Sequence, residues 1–125
     1  TVEKNGYKAY ASDAEAAKKL TAEALALQSA GAEMLVLECV PAATAKAVTQ
    51  ALDIPVIGIG SGADTSGQVL VINDILGITV GKTPKFVKNF MTATQATQEQ
   101  PIQAAIKAYV NAVKQQHFPS LEHHI

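Results

Sequence analysis

Apolar residues recur along this chain in two rhythms, and the alternation between them predicts its architecture. In "MLVLECV", positions 34–40, six of seven residues are apolar, and "IPVIGIG" at 54–60 is a second nearly unbroken apolar run that ends in glycine. Short runs of this kind, with no polar face, predict strands buried in a parallel sheet. Elsewhere the apolar positions fall three or four apart. Ala17, Leu20, Ala24 and Leu27 precede the first run, Ala45, Val48 and Leu52 separate the two, and Ile102, Ala105, Ile106, Tyr109 and Val113 come near the end. That spacing predicts amphipathic helices with those residues turned inward.

Local punctuation supports the same division. "SDAE" at 12–15 fits a capping box, with Ser12 as the cap and Glu15 reaching back, and Gly31 stands where a helix would end. Pro41 suits the first turn of the next helix, and Pro101 the start of the last. The stretch "SGQVLVINDILG" reads two ways. Val69, Ile72, Asn73 and Leu76 have helical spacing, whereas Val69 and Val71 alternate as in a strand. A helix capped by Ser66 and stopped at Gly77 is the preferred reading. "TPKFVKNF" (83–90) is expected to form a short strand, and "HFPSLEHHI" a tail. Strands alternating with helices predict an α/β fold around a parallel sheet covered on both faces. Either a small open doubly wound domain or part of a (βα)8 barrel satisfies that order. A whole barrel takes about 250 residues, twice what 125 residues supply.

Composition narrows the function classes. With 48% hydrophobic residues the chain can bury a core, and a formal net charge of −1 with scattered Lys and Arg gives no footprint for nucleic acid or an anionic membrane. The single Cys39 excludes an internal disulfide framework and fits a reducing, cytoplasmic setting. No apolar run approaches the roughly 18 residues of a spanning helix.

The residue that demands an explanation is Glu38, a carboxylate near the end of an apolar strand. Alternation puts Met34, Val36, Glu38 and Val40 on one face and Leu35, Leu37 and Cys39 on the other. A carboxylate among aliphatic side chains is costly and has its pKa raised unless something satisfies it. In parallel α/β folds, ligands bind at the C-terminal ends of the strands. Glu38 is therefore either a catalytic acid or base, or a carboxylate that emerges to cap the next helix or pair with a lysine. "GIGSG" (58–62) offers backbone N–H groups that could hold an anion, and equally makes a tight turn. His117, His123 and His124 are read as part of a solvated tail, Cys39 as core, and Lys85 and Lys88 as solvated. Asp64, Asp74 and Asn73 form no paired carboxylate site by spacing.

Taken in order, "GYK" (6–8), "ALALQSAGAEMLVLECVP" (24–41), "IPVIGIGSG" (54–62), "GQVLVINDILGI" (67–78), "PKFVKNF" (84–90) and "FPSLEH" (118–123) closely resemble the C-terminal half of the ketopantoate hydroxymethyltransferases. The resemblance implies that residues 1–125 form a single α/β unit, the C-terminal half of a (βα)8 TIM barrel. It implies transfer of a one-carbon unit from 5,10-methylenetetrahydrofolate to 3-methyl-2-oxobutanoate, giving 2-dehydropantoate. By the same resemblance Glu38 is the proton acceptor, while Ile59, Val69 and Val71 contact the substrate's isopropyl group. The Mg²⁺ that holds the keto acid, its two aspartate and one glutamate ligands, and a carboxylate-binding lysine would come from the N-terminal half, so no metal ligand is expected here. Partners implied are the keto acid, the folate, the N-terminal half of the barrel and further copies in a homo-oligomer. Two other readings are a phosphoenolpyruvate-binding or aldolase-type barrel enzyme and a non-catalytic half-barrel that acts as an assembly module.

Overall fold

The computed structural model describes residues 13–94 and 100–125; the expected "GYK" motif and the proposed Ser12 cap lie outside them. Helix α1 (Ala14–Ser29) is capped by Asp13, whose carboxylate accepts the Ala16 N–H at 2.7 Å. The chain leaves it through Gly31 at φ 105°, a left-handed conformation that glycine adopts without strain. Strand β1 (Leu35–Glu38), helix α2 (Ala42–Ala51) and strand β2 (Val56–Ile59) follow. Next come strand β3 (Gly67–Gln68), the single turn α3 (Ile72–Ile75), helix α4 (Pro101–Lys114) and a final 3-10 turn, Leu121–His123.

The fold is α/β, with a three-stranded parallel sheet in the order β1-β2-β3 and helices alternating with the strands. In register, Leu35 faces Val56 and Glu38 faces Ile59, and Gly58 faces Gln68. One face of the sheet is closed. Leu37 and Val56 bury there against Ala24 of α1, Ala45 and Val48 of α2, and Val40 and Leu52. A second cluster lies at the C-terminal ends of the strands. It joins Cys39, Leu70 and Ile75 to Phe86, Phe90, Ala105 and Phe118, with Ile59 packed against it. Phe90 anchors this cluster edge-on, its ring centroid 5.4 Å from Tyr109 and 5.5 Å from Phe118.

The other face is open among the described residues, where a sheet covered on both sides was expected. Met34 and Val36 remain 58% and 57% exposed, and Val69 and Val71 42% and 56%. Several elements also differ from their sequence patterns. The stretch after Ser66 is not one helix: Ser66 accepts the Val56 N–H on its hydroxyl at 3.0 Å and donates its own N–H to Val56 at 2.8 Å, pairing the chain as a strand. Only after Val71 does it coil, ending at Gly77 as expected, with φ 68°. Residues 83–90 form no strand. Phe90 N–H instead bonds the Ile75 carbonyl at 2.8 Å, laying the segment beside α3. In α4 Ala104 and Ala105 are buried and Tyr109 and Val113 pack against the second cluster as expected, while Ile102 and Ile106 face out. Leu27 of α1 is likewise half exposed, and Ala24 makes the contact.

Candidate active site at the strand ends

Glu38 ends β1 and its side chain is exposed on the open face, not enclosed by aliphatic neighbours as the apolar run suggests. The alternation also breaks directly after it. Cys39 takes φ 55°, a left-handed conformation that costs a residue with a Cβ about 1–2 kcal/mol. The kink sends Cys39 into the strand-end cluster and Val40 into the helix-covered core, so Val40 does not share the face of Glu38. Burial, and then the charge of Glu38, push the Cys39 thiol up. It is a packed, protonated side chain, and not a nucleophile.

A serine holds this kink in place. Ser61 is 1% exposed. Its hydroxyl donates to the Leu37 carbonyl at 3.0 Å and accepts the Val40 N–H at 3.2 Å. The two bonds reach the residues on either side of the Glu38–Cys39 pair. A backbone bond from Cys39 N–H to the Ile59 carbonyl, 2.9 Å, completes the clamp. The glycines of "GIGSG" serve packing. A Cβ on Gly60, where φ is 64°, would lie 2.7 Å from the Phe86 ring, and one on Gly62, where φ is 78°, 2.6 Å from Ala42. These close approaches favour the tight-turn reading of the motif over an anion cradle. Sequence reasoning missed Ser61; its only signal was a hydroxyl between two glycines directly after a strand.

The candidate pocket residues assemble in part. Ile59 pairs in register with Glu38 and is half-buried. Val69 lies two residues beyond Gly67, which pairs with Ile57, so alternation puts it on the same open face one strand further on. Val71 follows after buried Leu70 and stays exposed at the start of α3. Ile59 and Val69 thus fall on the open face of the sheet, with Glu38 to one side, and Val71 is exposed just beyond β3.

The other polar candidates separate from this group. His123 is 7% exposed, contrary to a solvated tail. Its Nδ1 accepts the Ser120 N–H at 3.1 Å and its ring meets Phe118 edge-on at 4.9 Å. His124 is half-buried beside Gly62, and His117 is exposed after α4. Asp74 is buried and accepts the Thr79 hydroxyl. Lys88 reaches over the Phe90 ring at 5.1 Å, and Lys85 is exposed. Among the described residues no group of three His, Cys, Asp or Glu is placed to hold a metal ion, and no helix is long and apolar enough to cross a membrane.

Glu38 thus stands at the C-terminal end of a strand in a parallel α/β unit, the place where ligands bind in such folds. Residues 1–121 match the family model described as ketopantoate hydroxymethyltransferase, and the chain belongs to that family. It is 55% identical over 118 residues to the 3-methyl-2-oxobutanoate hydroxymethyltransferase of Shewanella denitrificans, and 54% over 118 residues to that of Edwardsiella ictaluri. To the protein of the same name from Pseudomonas fluorescens it is 51% identical over 119 residues. Each match covers 94% of this chain and 43% of the relative, so the chain spans less than half the length of these proteins. Membership sets aside the phosphoenolpyruvate-binding or aldolase-type alternative.

Proposed function

We propose that this chain is the C-terminal half of a (βα)8 hydroxymethyltransferase that converts 3-methyl-2-oxobutanoate to 2-dehydropantoate with 5,10-methylenetetrahydrofolate, and that Glu38 is its general base. The observation that carries the reading is Glu38 itself. Its main chain is pinned on both sides by Ser61, and its carboxylate projects from a strand end onto the open face beside Ile59. An N-terminal half covering that face would turn it into a barrel interior and give Met34, Val36, Val69 and Val71 partners.

In this reading Glu38 removes the proton on C3 of the keto acid. The electron pair left on C3 forms the enolate and then the new C–C bond to the one-carbon unit. The two carbon–nitrogen bonds of that unit to the folate are replaced by this bond and by one to an oxygen from water. The proton from C3 and one from the water go to the folate nitrogens, releasing tetrahydrofolate and leaving the hydroxymethyl group. Ile59, Val69 and Val71 pack on the isopropyl group, holding C3 toward the carboxylate and keeping water from it. Bound Mg²⁺ would stabilise the negative charge of the enolate. The described residues do not fit such an ion on their own, and the proposal assigns its ligands to the N-terminal half.

Glu38→Gln in the full-length protein tests the base. Turnover is expected to fall by about 10²–10⁴. Exchange of the C3 proton of 3-methyl-2-oxobutanoate with D₂O, followed by NMR without folate, should fall in parallel, while the fold is kept. Near-wild-type turnover or exchange in this variant would refute the assignment.

A further inference from the structure

Asp74 is the one buried carboxylate among the described residues, 8% exposed, and the reaction at Glu38 does not use it. No cation is paired with it there. Its Oδ1 accepts the Thr79 hydroxyl, and Oδ2 has no partner among the described residues. Nor is Oδ2 sealed in the interior, because Tyr109 Oη is the only fully buried side-chain atom among them that lacks a hydrogen bond. The free oxygen opens into the space that Asp74 lines, a cleft of about 260 Å³ whose other walls are Gly77, Thr79, Thr83, Val87 and Asn89. A carboxylate this buried is costly without a full set of partners, and a ligand in the cleft would complete the set.

A donor stands in the same wall. Asn89 accepts the Met91 N–H on Oδ1 at 2.9 Å, and its Nδ2 has no acceptor among the described residues. Gly77, at φ 68°, makes room for that amide, since a Cβ there would collide with Asn89 Nδ2. Val87 adds an apolar surface. A single carboxylate with neutral neighbours is no metal-ligand set. An acceptor, a donor and an apolar wall instead suit a flat heterocycle that carries N–H groups beside a carbonyl. The cleft adjoins the strand ends: Asp74 N–H donates to the Val71 carbonyl at 2.9 Å, and Val87 packs against the cluster that includes Cys39, the neighbour of Glu38.

We propose that Asp74 and Asn89 form the subsite for the pyrimidinone ring of the reduced folate. The inference rests on the function proposed above. It adds a place for the ring of the co-substrate that does not carry the one-carbon unit. The 2-amino group, N3–H and 4-oxo group stand in a row on that ring. Asp74 accepts from the 2-amino group and N3–H as a charge-assisted pair, and Asn89 Nδ2 donates to the 4-oxo oxygen. A carboxylate oxygen has more than one lone pair, so Oδ1 keeps its bond from Thr79 while it accepts from the ligand.

The test compares tetrahydrofolate with 2-desaminotetrahydrofolate, which lacks the 2-amino donor, on the full-length protein by isothermal titration calorimetry. Wild type should bind tetrahydrofolate about 10- to 100-fold more tightly than the analogue. Asp74→Ala should bind the two alike, and its KM for the methylene form should rise by a similar factor. Exchange of the C3 proton of 3-methyl-2-oxobutanoate, which needs no folate, reports on the fold and the keto-acid site, and should continue in the variant. A wild type that binds both ligands alike, or an Asp74→Ala protein that still prefers tetrahydrofolate, would overturn the subsite and leave the catalytic reading standing. Loss of exchange in step with loss of binding would make Asp74 a structural residue and overturn the subsite as well. Absence of exchange and turnover in the wild type would instead overturn the catalytic reading, and the subsite with it.

Discussion

Replacing Ser61 with alanine removes one oxygen atom, and the structure says where the loss will be felt. The hydroxyl is the partner of the Val40 N–H, which is buried, and it also bonds the Leu37 carbonyl. Alanine fits the space, so neither a clash nor a large cavity contributes. A buried amide left without a partner costs about 1–3 kcal/mol. That is a substantial share of the roughly 5–15 kcal/mol that separates folded from unfolded domains. Urea titration of the full-length protein should show a lower midpoint with an unchanged slope. Hydrogen exchange supplies the local readout: the Val40 amide should lose protection while the amides of Val48 and Ala105, in the two cores, change only with global stability. A destabilisation below about 0.5 kcal/mol, with Val40 protection intact, would refute the clamp.

Two further outcomes follow from buried polar groups. The Tyr109 hydroxyl is buried with no partner among the described residues, and burial pushes its pKa up. Tyr109→Phe should therefore leave stability unchanged or raise it by up to about 1 kcal/mol, read as the urea midpoint; a clear loss would reveal a partner outside those residues. Burial lowers the His123 pKa from 6.5, with smaller contributions in the same direction from Lys88 and His124, while Glu122 opposes it. The unfolded chain then takes up a proton before the folded one does. Stability should be full above about pH 6.5 and fall as the pH drops from there through the lower folded value. His123→Leu should remove that slope, and an unchanged pH profile in the variant would count against it.

How much of this was legible in the sequence depended on whether a residue's environment is local. The strands at 35–38 and 56–59 were readable because an uninterrupted apolar run has few other uses. Gly31 and Gly77 end their helices because left-handed backbone favours glycine. Val69 and Val71 were ambiguous because their positions satisfy both periods. What decided against one long helix was Ser66, whose hydroxyl meets Val56 ten residues away. In α4 the three-to-four spacing put Ile102, Ala105, Ile106, Tyr109 and Val113 inward. Ala105 is buried, and Tyr109 and Val113 pack against the same cluster, whereas the two isoleucines turn out. The exposure of Glu38 was the least readable feature. It depends on which face of the sheet the helices cover, and on a left-handed turn at a cysteine, where glycine or asparagine would have signalled it.

The clamp around Glu38 also divides that residue's freedom in two. Its backbone is tied through Leu37, Cys39 and Val40, whereas its side chain has no hydrogen bond or ion pair among the described residues. The carboxylate can therefore swing while its origin stays still. Ordering a glutamate side chain costs up to about 1.5–2 kcal/mol of rotamer entropy, and here that loss falls at the moment a ligand arrives. Fast side-chain motion at Glu38, next to a rigid main chain, should be quenched when substrate binds.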